Sequence, residues 1–537
     1  MNTKNIYFII IVFLAVLVGL FLGNILAGRT YKANLMGSFS TNGSSKIDEL
    51  LSIVEAQYVD TVDFSQLNED MALDLIAKLD PHSVYIPASE LENVNSELEG
   101  SFSGIGVQFN IQNDTVMIVS VIPGGPSEKV GLMAGDRIIK VNDTIFVGKT
   151  ITTEKVMKKL RGKEDTKVKL SIKRFGTSEI LRYSITRGEI PVTSVDIAYL
   201  IAPSVGYIKV NKFSANTYTE FLNSIADLRA KGAQKYIVDL RENSGGFMDQ
   251  AINMVNEFLP AGRMIVYSEG KAYPRAEFKS DGTGSCIKQP IVVLIDEFSA
   301  SASEIFAGAL QDNDRGIIIG RRSFGKGLVQ QQMNLSDGSA LRLTVARYYT
   351  PSGRSIQKPY IKGAAEDYEM DILNRVKHGE FDNKDSIRVA DSLKFKTLAG
   401  RTVYGGGGIM PDIFVARDTT EYTTYLKNVL NYGIIYQFAF HYADKNRTLL
   451  KKFKTWQQMQ QFLVNQNLLV EFSAFAAKKD LAPNAKQMAI SKKLILAQLY
   501  AYIVRNTLGD SGFYPIQNYK DKTVIKALEQ LSKKQLK

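Results

Sequence analysis

The sequence predicts a multidomain α/β protein, and three observations carry this prediction. The chain has 537 residues, which corresponds to roughly three to four domains at about 150 residues each. From Val205 onward, buried runs of strand length such as 235–241 alternate with amphipathic helical patterns such as 218–231. On either side of this stretch, at 46–99 and beyond 417, apolar residues recur at helical spacing.

The first element is an apolar segment at the N-terminus. Residues 6–27 contain no charged side chain, and a helix of that length spans about 33 Å, enough to cross a bilayer. Residues 23–28 are a poor signal-cleavage site. We therefore expect residues 1–28 to be a membrane anchor or a signal segment. Either alternative places the rest of the chain outside the cytoplasm, in the cell envelope, after a polar linker at 29–45.

A helical region follows at 46–99, and from Phe102 the pattern changes to short strands and glycine turns. Within this part, the segment Gly104-Ile105-Gly106-Val107 reads either as an ordinary turn or as a loop whose consecutive amides hold the carboxylate of a peptide C-terminus while the peptide adds a strand.

Composition excludes several classes of site. The chain has one cysteine, Cys286, so no internal disulfide framework is possible. Its three histidines form no HExxH pair and no cluster with the cysteine. We expect neither a metal site nor a cofactor.

The net charge of +11 is concentrated at one end of the chain. Residues 445–537 contain 17 Lys and Arg against 5 Asp and Glu, a net charge of +12. On an exported protein this indicates an anionic membrane face or an acidic partner, or simply a solvated helical surface. Nucleic acid is not an expected partner outside the cytoplasm.

The strongest chemical signal is a serine at a strand-to-helix turn. The apolar run 290–295 reads as a buried strand and 302–310 as a helix, with Ser301 between them. Open α/β folds place their chemistry at the carboxyl ends of the strands, and amides at a helix start favour developing negative charge. These properties suit a nucleophile, and Ser299 and Ser303 are its rivals.

A glycine-flanked lysine, Lys326, follows Ser301 by 25 residues, and Gln330 lies four residues further on. A serine hydroxyl needs an adjacent base, and a lysine serves as that base when desolvation lowers its pKa towards neutrality. The uncharged flanks of Lys326 favour desolvation, and Gln330 can hydrogen-bond and orient the amine. Ser301, Lys326 and Gln330 are thus the predicted catalytic residues, and a Ser-Lys dyad is a variant of triad chemistry.

Several motifs in order carry a family resemblance. The pieces are Ala134-Gly135-Asp136-Arg137-Ile138-Ile139, Asp239-Leu240-Arg241-Glu242-Asn243-Ser244-Gly245-Gly246, Ser299-Ala300-Ser301-Ala302-Ser303-Glu304, Phe324-Gly325-Lys326-Gly327, Tyr349-Thr350-Pro351-Ser352-Gly353-Arg354 and Gly407-Gly408-Ile409-Met410-Pro411-Asp412. The chain resembles the carboxyl-terminal processing (tail-specific) serine proteases, which contain a PDZ domain and are of the Ser-Lys type. The resemblance covers about 46–415.

The resemblance implies roles for individual residues. Ser301 matches the nucleophile, Lys326 the general base and Gln330 the residue that orients the lysine. The oxyanion hole would use the amide of Ala302 and that of a glycine, Gly245 or Gly246, between which the sequence does not choose. Ser244 stands where many relatives carry proline.

The residue patterns along the chain, together with the resemblance for the PDZ domain and the protease core, predict a division into domains. The expected parts are the segment 1–28, the linker 29–45, the N-terminal helical region 46–99, a PDZ domain at 100–188 whose loop Gly104–Val107 binds the substrate C-terminus, a protease core at 189–416 with an insertion at 361–400, and a basic helical region at 417–537. Helical regions of this kind often serve assembly, so a homo-oligomer is possible.

Together these observations predict a serine endopeptidase that cleaves near unstructured C-terminal ends of protein substrates. The PDZ domain would capture the tail and gate the active site. The alternatives are a catalytically silent PDZ scaffold or peptide-binding adaptor in the envelope, or a ligand-binding module with a peptidase fold. His82, in the setting Asp80-Pro81-His82-Ser83, is not expected to be catalytic.

Overall fold

The computed structural model describes residues 46–112, 114–174 and 176–533. The predicted segment 1–28 and linker 29–45 lie outside the described residues. No helix in the part of the chain that the structure describes has the length and apolar character needed to span a membrane. Among these residues, 46–72 belong to one compact unit and the remainder to a second.

The first unit is helical. It contains α1 (Lys46–Gln57) and the beginning of α2 (Phe64–Ala77), which ends in the second unit. Neither helix buries a side chain. The apolar residues Ile47, Leu50 and Ile53 of α1 are about half exposed.

The second unit begins with β1 (Val84–Ile86) and α3 (Ala88–Glu99) and continues as a region rich in strands. Its strands are β2 (Ser101–Gly104), β3 (Val107–Gln112), β4 (Thr115–Val121), β5 (Arg137–Val141), β6 (Thr144–Ile145), β7 (Lys167–Lys173), β8 (Ile180–Thr186) and β9 (Gly188–Pro191). They form a sheet of order β3-β4-β5-β7-β8, with β6 on β5, and a separate β2-β9 pair. Two helices, α4 (Pro126–Lys129) and α5 (Thr153–Leu160), complete this region. Its hydrophobic core contains buried residues such as Val156 of α5 and Ile172 of β7.

A six-stranded sheet forms the centre of the protein. Its strands are β10 (Val195–Ala202), β11 (Val205–Val210), β12 (Lys235–Asp239), β15 (Ile291–Ile295), β16 (Ile317–Gly320) and β21 (Ile413–Phe414), in the order β10-β11-β12-β15-β16-β21. All neighbouring pairs are parallel except β10 with β11. Every residue of β11 and β15 is buried, because both faces of the sheet are covered.

Helices cover one face of this sheet. They are α6 (Thr217–Ala230), α7 (Met248–Asn256) and α8 (Ala302–Asp312), and they share one hydrophobic core with the strands. Helix α8 is buried along its whole length. It follows β15 directly, so its first turn lies at the carboxyl ends of the parallel strands.

A second sheet has five strands, whose positions in the sequence alternate with those of the central sheet. Its strands are β13 (Met264–Glu269), β14 (Ala276–Lys279), β17 (Leu328–Asn334) and β18 (Ala340–Tyr349), together with β1. The order is β1-β18-β13-β14, with β17 paired to β18. The N-terminal strand β1 is thus hydrogen-bonded to β18.

The segment predicted as an insertion, 361–400, contains mostly short elements. They are α9 (Ala365–Glu369), α10 (Asp371–Lys377), 3-10 turns at Lys384–Ser386 and Asp391–Leu393, and β19 (Lys394–Lys396), which pairs with β20 (Thr402–Tyr404). The buried side chain of Arg375 donates hydrogen bonds to the carbonyls of Arg322 and Ser323. This segment therefore supports the loop that precedes Lys326.

The C-terminal part is helical, as the periodicity predicts. Its helices are α11 (Thr424–Asn431), α12 (Ile434–Lys445), α13 (Arg447–Leu450), α14 (Trp456–Val464), α15 (Leu468–Ala477), α16 (Ala485–Leu508), α17 (Asp510–Asn518) and α18 (Lys522–Ser532). Helices α11 to α17 share a hydrophobic core of their own. Helix α18 instead packs Val524, Ala527 and Leu531 against the second face of the central sheet. The predicted multidomain α/β class is confirmed.

Candidate active site

Ser301 occupies a strained turn. It lies between β15 and α8 with φ 54° and ψ −113°, a region that residues other than glycine rarely adopt. Such strain persists only where the surrounding structure imposes it, and it is concentrated at functional sites. The side chain of Ser301 lines a cavity of about 610 Å³.

The two rival serines are occupied by structural contacts. The Ser299 hydroxyl donates to the carbonyl of Leu240 at 2.8 Å and accepts from the amide of Asp296 at 2.9 Å. The Ser303 hydroxyl donates to the carbonyl of Asn243 at 2.9 Å. Both serines are fully buried, whereas Ser301 reaches the cavity.

Lys326 lines the same cavity from the loop between β16 and β17, and its side chain is partly buried. Burial lowers its pKa below the ordinary value of 10.5, and the nearby positive charge of Arg342 lowers it further. The carboxylates of Glu304 and Asp80 act in the opposite direction. The amine is therefore easier to deprotonate than that of a surface lysine.

Glu304 connects the serine turn to the lysine loop. Its Oε2 accepts hydrogen bonds from the amides of Ser301 at 2.8 Å and Lys326 at 2.9 Å. Its Oε1 accepts from the Gly325 amide at 2.8 Å and the Ser323 hydroxyl at 2.5 Å. Burial raises the pKa of Glu304 to about 7, although these donors oppose the rise. One buried carboxyl group thus holds both backbone segments.

Tyr348 makes a second connection between the same two residues. Its hydroxyl lies 3.0 Å from the carbonyl oxygen of Ser301 and 2.5 Å from that of Lys326. A hydroxyl has one proton, so it donates to one carbonyl at a time. Tyr348 is fully buried on β18. Glu304 at the amides and Tyr348 at the carbonyls together fix the separation of the two backbones.

Gln330, on β17, lines the cavity as well. Its Nε2 donates to the hydroxyl of Thr344 on the paired strand β18, at 3.2 Å. Among the hydrogen bonds of the described residues, none joins the Ser301 hydroxyl, the Lys326 amine and the Gln330 side chain to one another. The three predicted catalytic residues therefore share one cavity without direct hydrogen bonds between them, as is common before substrate binds.

The glycine turn of the predicted oxyanion hole lies against the serine. A Cβ placed on Gly245 would be 2.7 Å from the Ser301 Cβ and 3.0 Å from the Ala302 nitrogen. The Gly245 amide donates to the Asn243 Oδ1 at 2.9 Å, whereas Ala302, the first residue of α8, has an amide without an acceptor in its own helix. Gly245 and Gly246 both line the cavity.

A second cavity, of about 670 Å³, adjoins the first. Its walls are formed by α3 and by residues of the strand-rich region that include Met157 and Lys158 of α5. Asn95 and Glu99 of α3 line both cavities. The predicted peptide-binding residues Gly104, Ile105, Gly106 and Val107 line neither cavity.

The predicted peptide-binding loop is anchored to the beginning of α4. Its Ile105 carbonyl accepts from the Ser127 amide at 3.0 Å, and its Gly106 carbonyl accepts from the Ile122 amide at 3.0 Å. These two hydrogen bonds join the loop to the segment 122–127.

His82 lies near Lys326, but its hydrogen bond is to another residue. Burial lowers the pKa of His82 to about 4, and the Lys326 charge contributes to this lowering. The His82 Nε2 and the Tyr368 hydroxyl are 2.9 Å apart. His82 is therefore neutral at neutral pH.

The sequence interpretation gave no role to Glu304, Tyr348, Arg342, Asp80 or Thr344. A local signal existed for Glu304, because Ser301-Ala302-Ser303-Glu304 has the S-x-x-E pattern of a capping box. The other four reach the site through long-range contacts that no local pattern marks.

Comparison with known proteins identifies families for three parts of the chain. The model of peptidase family S41 matches residues 204–370, and a PDZ domain model matches 103–184. Residues 425–509 match a family of unknown function, DUF8443. An α/β core that matches peptidase family S41, preceded by a PDZ domain, identifies a serine-type peptidase.

Relatives that match more than half of the chain identify the group of serine peptidases to which it belongs. The carboxy-terminal-processing protease of Bartonella bacilliformis is 36% identical over 317 residues, which cover 58% of this chain and 72% of that protein. The carboxy-terminal processing protease CtpA of Bacillus subtilis is 35% identical over 377 residues, covering 68% and 79%. Among solved structures, the photosystem II D1 C-terminal processing protease is 25% identical, with 71% and 89% covered and a TM-score of 0.36. The chain belongs to the carboxy-terminal processing proteases of peptidase family S41, which confirms the family predicted from the sequence.

Proposed function

We propose that this peptidase cleaves protein substrates near their C-terminal ends, with Ser301 as nucleophile and Lys326 as general base. The observation that carries the proposal is the shared cavity in which both side chains lie while Glu304 holds both backbones. Burial of Lys326, together with the positive charge of Arg342, lowers the pKa of its amine, which is the direction that a base at neutral pH requires.

The first half of the reaction forms an acyl-enzyme. The neutral Lys326 amine takes the proton of the Ser301 hydroxyl as the oxygen attacks the scissile carbonyl. The carbonyl oxygen becomes an oxyanion that accepts hydrogen bonds from backbone amides. The Lys326 ammonium then gives its proton to the leaving amine, and the C-terminal fragment departs.

The second half restores the enzyme. Lys326 takes a proton from water, the resulting hydroxide attacks the ester carbonyl, and the proton returns to the Ser301 oxygen as the acid product leaves. We assign the oxyanion hole to the amides of Ala302 and Gly246. The Gly245 amide already donates to Asn243, which favours Gly246 as the second donor. Gln330 orients the Lys326 amine.

Substrate capture falls to the PDZ domain. The carboxylate of the substrate would bind at Gly104–Val107, and the adjoining cavities that share Asn95 and Glu99 offer an extended chain a way to Ser301. Occupation of the PDZ domain gates the active site by moving this domain relative to the core.

The uncharged residues 6–27 support a location in the cell envelope, with this segment as a single membrane anchor. The helical regions are the proposed contacts of a homo-oligomer. Fractionation of cells with and without residues 1–28 tests the first statement, and sedimentation of the purified protein tests the second.

The decisive experiment compares the wild type with Ser301→Ala and Lys326→Ala. Each full chain is incubated with an unfolded protein that has an apolar C-terminus, and the fragments are read by mass spectrometry. Matched controls are Ser336→Ala and Lys362→Ala, which change exposed residues. Loss of cleavage in the first pair alone supports the proposal; cleavage by Ser301→Ala refutes it.

A companion measurement tests gating. A short peptide with an apolar C-terminus is added to the wild type and to a Gly106→Asp variant, and cleavage of a separate reporter is followed. The proposal expects acceleration in the wild type only. Peptide binding without any cleavage by the wild type would favour a silent scaffold.

A further inference from the structure

Asp80 is a buried carboxylate next to the active site, and its hydrogen bonds come entirely from neutral groups. It lies just before β1 and is 7% exposed. Its Oδ1 accepts from the amides of His82 at 2.9 Å and Ser83 at 3.0 Å, and its Oδ2 accepts from the Ser83 hydroxyl at 2.5 Å. A fourth bond comes from the Thr344 hydroxyl, 3.0 Å from Oδ1.

These donors keep Asp80 ionised. Burial alone would raise its pKa, but the hydrogen bonds from Ser83, His82 and Thr344 outweigh it and hold the pKa below the ordinary value. An ionised carboxylate only accepts hydrogen bonds. The Thr344 hydroxyl must therefore donate its proton to Asp80.

The direction of that bond determines the orientation of Gln330. Because the Thr344 proton points at Asp80, its oxygen can only accept from Gln330, and the atom facing it must be the amide nitrogen. The Nε2 of Gln330 is indeed 3.2 Å from the Thr344 hydroxyl. The Oε1 of Gln330 is consequently the end of the amide that remains available, in the cavity that also contains Lys326.

We infer that Asp80 and Thr344 are positioning residues for the catalytic lysine: they hold the Gln330 amide with its oxygen available to the Lys326 amine, and Asp80 adds a negative charge near that amine. An N–H of Lys326 then donates to Oε1, which directs the nitrogen lone pair towards the Ser301 hydroxyl. This inference rests on the proposed function.

The segment 80–83 is held firmly enough to do this. The Thr344 amide donates to the Ser83 hydroxyl at 3.0 Å, so both the backbone and the side chain of Thr344 contact this segment. The next residue, Val84, pairs with Arg342 in the β1-β18 ladder. The N-terminal region thus supplies part of the catalytic apparatus 221 residues before the nucleophile in the sequence.

The charged groups around Lys326 set the expected pH behaviour. Burial and then Arg342 lower the pKa of Lys326, whereas Glu304 and Asp80 raise it. The pKa of the neighbouring His82 is lowered to about 4, so its ring is neutral at neutral pH. Lys326 acts in its neutral form, so kcat/KM rises as pH rises through its pKa. Removing the Asp80 charge lowers that pKa and moves the acidic limb of the profile to lower pH.

Thr344→Val removes the hydroxyl that orients Gln330 and leaves the side-chain volume almost unchanged. We expect kcat to fall by up to about a hundredfold, because a displacement of about 1 Å in the reacting geometry costs that much, with KM unchanged. Thr344→Ser, which keeps the hydroxyl, restores most of kcat. Thr186→Val, an exposed threonine on β8, is the control.

A double-mutant cycle with Gln330→Ala separates positioning from a general structural effect. If Thr344 acts through Gln330, Thr344→Val causes no further loss in the Gln330→Ala background. Asp80→Asn can keep an oxygen towards Thr344 while it removes the charge and the acceptor for the Ser83 hydroxyl. Because the charge is lost, the acidic limb should shift to lower pH.

Three results would overturn the inference: a wild-type kcat in Thr344→Val, additive losses in the cycle, or an unmoved acidic limb in Asp80→Asn. If Asp80→Asn does not fold, the Thr344 pair and the cycle still decide. Failure of the proposed function is distinguishable, because it would appear as cleavage by Ser301→Ala whatever residue occupies position 344.

Discussion

Gly245 and Ser301 are in direct contact, because a Cβ on Gly245 would lie 2.7 Å from the Cβ of the serine. No side chain fits at position 245 without moving the nucleophile or the Ala302 amide beside it. The turn 243–246 and the start of α8 are therefore built as one surface.

Gly245→Ala should accordingly abolish most proteolysis. We expect kcat to fall about a hundredfold or more, since a displaced oxyanion-hole amide costs that much. The matched control is Gly262→Ala: Gly262 also has a positive φ, +80°, but no atom lies within 4 Å of its added Cβ. The control should lose about 1–2 kcal/mol of stability from backbone strain alone and retain its kcat. Equal losses of kcat in both variants would contradict the steric explanation.

Glu304→Gln should reduce both activity and stability. The amide replaces an acceptor of four hydrogen bonds with a group that has only one acceptor atom, and a hydrogen bond to a charged group contributes about 1.5–3 kcal/mol. Urea unfolding and kcat on the same preparations measure the two effects. Glu269→Gln, at an exposed position of β13, should change neither. A Glu304→Gln variant with wild-type kcat would show that the hydrogen bonds from Glu304 to the Ser301 and Lys326 amides are dispensable for catalysis.

The raised pKa of Glu304 also predicts a pH dependence of stability. Burial raises it from 4.5 to about 7, so between these values the folded protein binds more protons at this site than the unfolded chain. The contribution of Glu304 to the free energy of unfolding is therefore largest below about pH 4.5, declines towards pH 7 and is constant above it. The difference in unfolding free energy between wild type and Glu304→Gln, measured from pH 4 to 8, should follow this course; a difference that grows with pH would contradict it.

Tyr348→Phe removes one hydroxyl and leaves the ring in place. Because that hydroxyl donates a single proton to the carbonyl of Ser301 or Lys326, we expect a loss of about 1 kcal/mol and a smaller decrease in kcat than for Glu304→Gln. Thermal unfolding and steady-state kinetics measure both. A larger kinetic effect than that of Glu304→Gln would assign the main positioning role to Tyr348.

Asp239→Asn should destabilise the central sheet strongly. Asp239 is buried and, although burial opposes its ionisation, the charges of Arg241 and Lys209 hold its pKa below the ordinary range. Arg241 continues the network to Asp521 at 2.7 Å. Leaving these cations without their shared carboxylate should cost about 3–5 kcal/mol, measured by urea unfolding at pH 7.

The exposed pair Asp227 and Lys231 is the control for this prediction. Asp227→Asn should cost less than about 1 kcal/mol. The contribution of Asp239 is present above its ordinary pKa and is lost as pH falls below it. The two aspartate variants should therefore become more alike under acid conditions, and a persistent difference would contradict the pKa direction.

Local patterns predicted the elements that carry the site. Local sequence alone marks the apolar run before Ser301, the helix after it and the glycines beside Lys326. The structure places the side chains of Ser301, Lys326 and Gln330 around one cavity. The domain boundaries, the catalytic roles of Ser301, Lys326 and Gln330, and peptide binding at Gly104–Val107 stay predictions. The same holds for the oxyanion-hole roles of Ala302, Gly245 and Gly246.

The remaining features depend on contacts across the chain. Thr344 and Asp80 are 264 residues apart in sequence, and Tyr348 reads from the sequence as one more apolar residue of a strand. No periodicity distinguishes a tyrosine that bridges two carbonyls from one that fills a core. The packing of α18 on the sheet was likewise hidden, because its amphipathic pattern is that of any helix in the C-terminal region.

That packing has a consequence for biosynthesis. Strands β11, β12 and β15 are translated long before residues 522–532, yet their second face is covered by Val524, Ala527 and Leu531. During translation the nascent sheet therefore exposes Tyr207, Ile237 and Leu294 until α18 has been made. A chaperone that protects apolar surfaces would be needed during this interval, and the peptidase would mature only after its helical region has been made.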